Sequence, residues 1–188
     1  QVMVIHDPTL ERTTNGKGKV NEFTQKELKK FDAGSKFGVG FSGERIPTLE
    51  EVFEHVGKKL LVNVELTNYK SPQDDLIPRV VELVKKHNMQ QRVLFSSFLP
   101  KNLINIRVLI PEAAVAQLSL PGLPGMVTRS NCMRHVSPAI IHPYLTDVSA
   151  RYVRKEHSKG RRVHVWTVNH EKDLRRMLEL NVDGIFTD

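Results

Sequence analysis

Val2-Met3-Val4-Ile5-His6-Asp7-Pro8-Thr9-Leu10-Glu11-Arg12-Thr13-Thr14 is the stretch from which the fold of the chain is read. Its first four residues are apolar on both faces, which predicts a strand buried on both sides. Pro8 ends that strand, since proline has no N–H to give to a ladder. His6 and Asp7 then fall at the strand's carboxyl end, where open α/β sheets and barrels place their chemistry. A turn in which Asp7 caps and His6 is solvated accounts more simply for an isolated His-Asp pair, so the rest of the chain has to decide.

Working outward, segments with strand and helix character alternate. Thr24 with Glu27, and Thr48 with Glu51, have the spacing of capping boxes and predict two helix starts. Between them, 34–43 holds four glycines and two phenylalanines and reads as a loop with packing of its own. Gly57 is placed to close the second helix. Leu60-Leu61-Val62-Asn63-Val64-Glu65-Leu66 predicts a second buried strand. A glutamate in such a run is costly unless it is paired or bound to a cation. An amphipathic helix follows over 76–87, with Ile77, Val80, Val81 and Val84 on one side.

Strands are expected next over 92–98 and 113–118, with a helix over 102–110 between them. The first of these ends in Ser96-Ser97-Phe98, two hydroxyls to line a site and an aromatic to give it apolar surface. The loop 120–125, with two prolines and two glycines, lies at the end of the second. Ala139-Ile140-Ile141-His142-Pro143 puts another histidine at a strand end, read as a polar residue lining the mouth. Arg162 to Asn169 alternates most clearly, placing His164 and Trp166 on one face. A helix over 171–180 and a strand over 182–188 complete the pattern, which is that of a parallel α/β architecture.

Composition narrows the function classes. The 188 residues are 39% hydrophobic and 26% charged, ordinary for a globular domain, and no apolar run approaches the ~20 residues of a membrane span. One cysteine, Cys132, excludes an intrachain disulfide and a zinc-ligand spacing. The net charge of +7 is concentrated in 151–162, where six basic residues face one acidic. That segment reads as the solvated face of a helix ending at Gly160, without the basic-aromatic interleaving that would point to a nucleic acid.

The string His6-Asp7-Pro8-Thr9-Leu10, followed by Arg12-Thr13-Thr14-Asn15-Gly16, resembles the glycerophosphodiester phosphodiesterase family. So do Ile46-Pro47-Thr48-Leu49-Glu50-Glu51-Val52, Val64-Glu65-Leu66, Ser96-Ser97-Phe98, Trp166-Thr167-Val168-Asn169 and Asp183-Gly184-Ile185-Phe186-Thr187-Asp188. The segments keep the family's order and approximate spacing over almost the whole chain. The resemblance implies a (β/α)8 TIM-type barrel and metal-dependent hydrolysis of glycerophosphodiesters to glycerol phosphate and an alcohol. Residues 1–188 are then one domain, with 15–47 as a loop insertion at the barrel mouth.

The resemblance also implies roles. His6 is one of two catalytic histidines that exchange protons, a task suited to a side chain that titrates near neutral pH. Glu65 binds a divalent metal ion, Mg or Ca, which choose carboxylate oxygens. Phe98 and Trp166 belong to the substrate pocket, although a core tryptophan explains Trp166 equally well. Thr67 stands where the family commonly has a phosphate-binding lysine; a hydroxyl can donate to phosphate but brings no charge, and Lys70 in the following loop is a candidate to supply it.

The family's His-Arg-Gly strand and Glu-x-Asp segment, carrying the other histidine and most acidic ligands, have no counterpart here. The chain is therefore expected to be a barrel incomplete at its amino terminus, and to hydrolyse the diester poorly or not at all by itself. A non-catalytic barrel domain or inactive fragment is the alternative. The expected partner is a small glycerophosphodiester, with no nucleic acid and no membrane span. A cytoplasmic location is favoured over secretion, and the sequence does not set the oligomeric state.

Overall fold

The computed structural model describes residues 1–71 and 73–188, and these cluster into two compact units. The first comprises Gln1–Leu60 and Pro78–Met89, the second Leu61–Ile77 and Gln90–Asp188.

In the first unit, Leu10, Leu28 and Ile46 are buried, with Met3, Ile5, Val20, Phe23, Phe31 and Ala33 packed against them. Helix α1 (Gln25–Leu28) is a single turn and α2 spans Leu49–Val56. Both open on complete capping boxes: Thr24 and Thr48 accept from the N–H of Glu27 and Glu51, whose carboxylates accept in return from the cap N–H. Both helix starts were therefore legible. The 34–43 loop is ordered by the Asp32 carboxylate, which accepts from the N–H groups of Gly34, Ser35 and Gly43 at 2.8–2.9 Å. Three such donors hold the carboxyl well below its ordinary range.

The structure overturns one sequence expectation and bears out another. Residues 2–5 are not a strand: Val4 N–H donates to Pro47 O, Val2 O accepts from Leu49 N–H, and Met3 forms one isolated antiparallel bridge with Thr48. The partner segment cannot extend the ladder, because Pro47 lacks an N–H and Thr48 is already a helix cap. Gly57 does end α2, but in a right-handed conformation, with φ −59°. Glycine is required there by close approach, since a Cβ would lie 2.5 Å from Phe53 O and 2.8 Å from Met89 Sδ.

The second unit is built on a six-stranded, wholly parallel sheet in sequential order. Its strands are β1 (Val62–Glu65), β2 (Val93–Ser97), β3 (Ala114–Leu118), β4 (Ile140–His142), β5 (Arg162–Val165) and β6 (Gly184–Ile185). Helices α3 (Leu76–Lys86), α4 (Pro100–Leu109), α5 (Met126–Arg129), α6 (Ala150–His157) and α7 (Glu171–Glu179) alternate with them, α3 being shared between the units. Order 1-2-3-4-5-6 without reversal is barrel-type winding, not the doubly wound kind, in which the order turns back.

Period-two alternation sorts the strand residues. Ile141, Val163 and Val165 pack with Val153 of α6 and Met177 of α7 into one core. The opposite face carries Ile140, His142, His164 and, beyond β5, Trp166. The strand expected over 60–66 is only four residues long, and Leu60 and Leu61 are exposed. Along β1 Val64 is buried and Asn63 exposed, so burial on both faces does not hold for it. Residues 182–188 likewise contribute only a two-residue strand.

Candidate active site

The sequence-predicted residues fall in both units, and each part has its own geometry. In the first unit, Pro8 follows a short network. His6 Nδ1 lies 2.8 Å from Asp7 Oδ1, and Arg12 grips the same carboxylate through Nε to Oδ2 at 2.5 Å and Nη2 to Oδ1 at 2.9 Å. The two-pronged grip fixes the carboxylate plane. The Arg12 guanidinium, with His6 adding to it, lowers the Asp7 pKa to about 2. Asp7 is thus an ionised, immobilised acceptor for Nδ1–H, and that bond leaves the lone pair of a neutral ring on Nε2. The His6 side chain is 68% exposed and open to a reacting group.

In the second unit, strand register brings Glu65, Thr67, Phe98 and Trp166 to one face at the carboxyl ends. Glu65 pairs with Ser96 and Ser96 with Ala116, so Thr67 and Phe98, each two residues on, follow on the same face. Glu65 accepts a 2.7 Å hydrogen bond from Tyr69 Oη. Burial, and then the charge of Glu65, push the Tyr69 phenol well above its ordinary pKa, so it stays a donor. From Tyr69 a chain of edge-to-face rings runs to Phe98 at 5.7 Å, Trp166 at 5.5 Å and Tyr144 at 4.9 Å. Trp166 is anchored by its indole N–H on His142 O at 2.9 Å. A carboxylate at one end of an apolar wall can hold a cation while the wall excludes water from a bound ester.

Thr67 is half-buried, and its main-chain carbonyl accepts from Tyr69 N–H at 2.7 Å. The two serines divide. Ser96 faces the site side and accepts from Asn63 Nδ2, whereas Ser97 turns to the helix side, donating to Leu66 O and accepting from Asn102. Tyr69 and Tyr144 escaped the sequence reading. Tyr69 could have been flagged as a phenol four residues beyond a strand-end carboxylate. Tyr144 is visible only from its bridge with Trp166.

His142 does not line a mouth; it is fully buried. Its ring stacks on His164 at 5.2 Å and meets Phe186 at 4.8 Å, and neither ring nitrogen has a hydrogen-bond partner. Burial, with the neighbouring His164, lowers its pKa from 6.5 to about 3. Above pH 6.5 folded and unfolded chains both hold it neutral. Below that the unfolded chain takes the proton first, so stability should fall with pH by up to ~1.4 kcal/mol per unit. His164 is lowered too and adds in the same direction. We expect the urea midpoint to drop between pH 6.5 and 4.5, before most carboxylates titrate, and His142→Phe to flatten that drop. An unchanged slope in the variant would disprove the assignment.

For a divalent cation, Glu65 supplies an oxygen of the right kind, but among the described residues it does not belong to a larger ligand cluster. Among the described residues, the group of three metal-ligating side chains with ligand atoms within 4.8 Å of one another is Glu50, Glu54 and His87, in the first unit. Lys86 Nζ sits 2.5 Å from Glu50 Oε1 there and neutralises the carboxylate a cation would use. The donor chemistry for a metal is present in the chain, without a complete shell around Glu65 among the described residues.

Comparison with known proteins agrees with the fold and the motifs. The family model described as the glycerophosphoryl diester phosphodiesterase family matches residues 1–188. A glycerophosphodiester phosphodiesterase of Caldanaerobacter subterraneus is 37% identical over 188 residues, covering all of this chain and 76% of the relative. One from Bacillus altitudinis is 34% identical over 192 residues, covering all of this chain and 77% of that protein. Among solved structures, a phosphodiesterase of Oleispira antarctica in complex with the product sn-glycerol-3-phosphate superposes with a TM-score of 0.88 at 29% identity. That match covers 98% of this chain and 74% of the other. The parallel sheet in sequential order, with its helices, is of TIM-barrel type. The chain belongs to the glycerophosphodiester phosphodiesterase family.

Proposed function

We propose that this protein hydrolyses glycerophosphodiesters to glycerol phosphate and an alcohol. The observation that carries the reading is Glu65, held by Tyr69 beside the Phe98–Trp166 wall at the carboxyl end of a parallel sheet. Family membership and the product-bound relative support the substrate class. His6 performs one of the proton transfers: Asp7 fixes Nδ1–H, Arg12 fixes Asp7, and Nε2 takes the proton from the glycerol hydroxyl that attacks phosphorus. The other ester oxygen leaves phosphorus as the alcohol, taking a proton from solvent, and gives a cyclic phosphate. Water then attacks phosphorus, the ring P–O bond to the attacking glycerol oxygen breaks, and His6 returns its proton to that oxygen. Trp166 and Phe98 pack on the diester and keep bulk water away, and Thr67 offers a hydroxyl to a phosphate oxygen. A divalent cation, Mg or Ca, would lie on Glu65 and place positive charge on the phosphoryl group.

The test is release of glycerol phosphate from glycerophosphocholine across a metal titration. Glu65→Gln keeps size and removes charge. We expect it to raise the metal concentration for half-maximal rate by about tenfold or more, with excess metal restoring part of the rate. Normal metal dependence in that variant would remove Glu65 from the role. No release by the full-length protein at any metal concentration would overturn the hydrolase reading.

A further inference from the structure

The loop after β3 is an apolar lip whose construction the catalytic reading does not use. Residues 119–127, Ser-Leu-Pro-Gly-Leu-Pro-Gly-Met-Val, contain no charged side chain in a chain that is 26% charged. Leu120, Leu123, Met126 and Val127 are all exposed, Leu123 to 80%. Single exposed apolar residues are ordinary, but four within eight positions form a patch.

The lip is held in place. Arg129 donates through Nη1 to Leu120 O and through Nη2 to Gly122 O, both at 2.7 Å, and its Nη1 also meets Asp147 Oδ2 at 2.9 Å. Gly122 N–H donates to the same carboxylate, at 3.0 Å to Oδ2. Gly125 permits the close turn, since a Cβ there would come within 1.8 Å of Leu120 O. The exposed side chains thus stand on a hydrogen-bonded frame.

The frame is joined to the aromatic wall. The carbonyl of His142 that accepts the Trp166 indole N–H also accepts the N–H of Ser119, the first residue of the lip, at 3.0 Å. Leu145 N–H donates to Trp166 O, and Asp147 two residues later clamps the lip. The base of the lip is therefore hydrogen-bonded to the same strand end that anchors Trp166. Its nearest cation in sequence, Arg129, is turned inward to Asp147 and is 12% exposed, so the lip brings no charge toward an anionic lipid surface.

Resting on the glycerophosphodiester reading, we propose that the lip binds the alcohol moiety of the substrate, and that this moiety is an aliphatic chain. An uncharged lip tied to the strand end that anchors the aromatic wall discriminates by chain length, each buried methylene strengthening binding by roughly fourfold.

The experiment uses the methyl and octyl diesters of glycerol phosphate, below the octyl ester's aggregation threshold. Binding to the full-length protein is read from the fluorescence of Trp166, the single tryptophan. The octyl diester should bind at least tenfold more tightly than the methyl diester. Leu123→Asp and Val127→Asp, both at exposed positions, should each remove most of that preference without changing methyl diester binding or turnover. No chain-length preference in the unsubstituted protein, or one that survives both substitutions, would overturn the proposal. So would light scattering showing a dimer that Leu123→Asp dissociates with no change in preference, which would give the lip to a second copy. Octyl and methyl phosphate monoesters separate the two readings. Lip-dependent preference for octyl phosphate, without binding or cleavage of either diester, would uphold the lip and sink the hydrolase.

Discussion

Replacing His6 with alanine is expected to lower kcat for glycerophosphocholine by roughly 10²- to 10⁴-fold, the range for losing a positioned proton carrier. The metal concentration for half-maximal rate should not move, because the removed group carries a proton and holds no cation. The His6–Asp7–Arg12 network makes the prediction specific. Asp7 is gripped at both oxygens by Arg12, so it remains in place and ionised when the imidazole is lost. Asp7→Asn should slow turnover less than His6→Ala, since the ring remains and only its orientation and tautomer are released. The measurement is kcat against metal concentration for both variants. A His6→Ala enzyme that kept its rate, or recovered it with excess metal, would show that the proton travels by another group. His142 is a poor substitute, being fully buried with its ring against His164 and Phe186.

The parts of the fold legible in the sequence are those that local chemistry decides. Both capping boxes fell where Thr and Glu stand three apart, because the hydrogen bonds involved are made within one turn. Helix α3 followed from four apolar residues at helical spacing, all four of them buried. The strands came out at the right places but too long, because extended character belongs to a residue whereas strand assignment belongs to a pair. Residues 2–5 show this most plainly: extended, apolar, and left with a partner whose proline cannot donate.

The site divides in the same way. Glu65 stands out because a carboxylate in an apolar run demands a reason, whereas the pocket role of Trp166 rests on the family resemblance, its alternation with His164 giving only a shared face. Their placement on one face with Phe98 depends on register between strands, which no local signal carries. Tyr144 escapes the sequence for that reason, whereas Tyr69 has a local signal in its spacing from Glu65, and His142 lies in a different environment from the one expected. Its neighbours His164 and Phe186 lie far along the chain and were not expected to bury it.

Breaking the buried ion pair between Glu156 of α6 and Arg161, the residue before β5, should produce the largest loss of stability in the second unit. Arg161 and Glu156 are both essentially inaccessible, joined by Nη1 to Oε2 at 2.9 Å. The network is only partly satisfied: Arg161 Nε and Nη2, Glu156 Oε1 and Tyr152 Oη have no hydrogen-bond partner, though Lys159 Nζ lies 3.7 Å from Oε1. Taking two charges out of water costs several kcal/mol per ion, and their attraction returns that only while both are present. Arg161→Met should therefore destabilise by ~3–5 kcal/mol, because it strands the Glu156 carboxylate in the interior. Glu156→Leu should cost a similar amount by stranding the guanidinium. The double variant should recover much of the loss, since two apolar side chains leave no buried charge behind. Trp166 is in the same unit, so its fluorescence in urea follows the relevant transition. Single variants with unchanged midpoints, or a double variant as unstable as the sum of the two, would mean that water reaches the pair and that its charges are not paired at the expense of solvation.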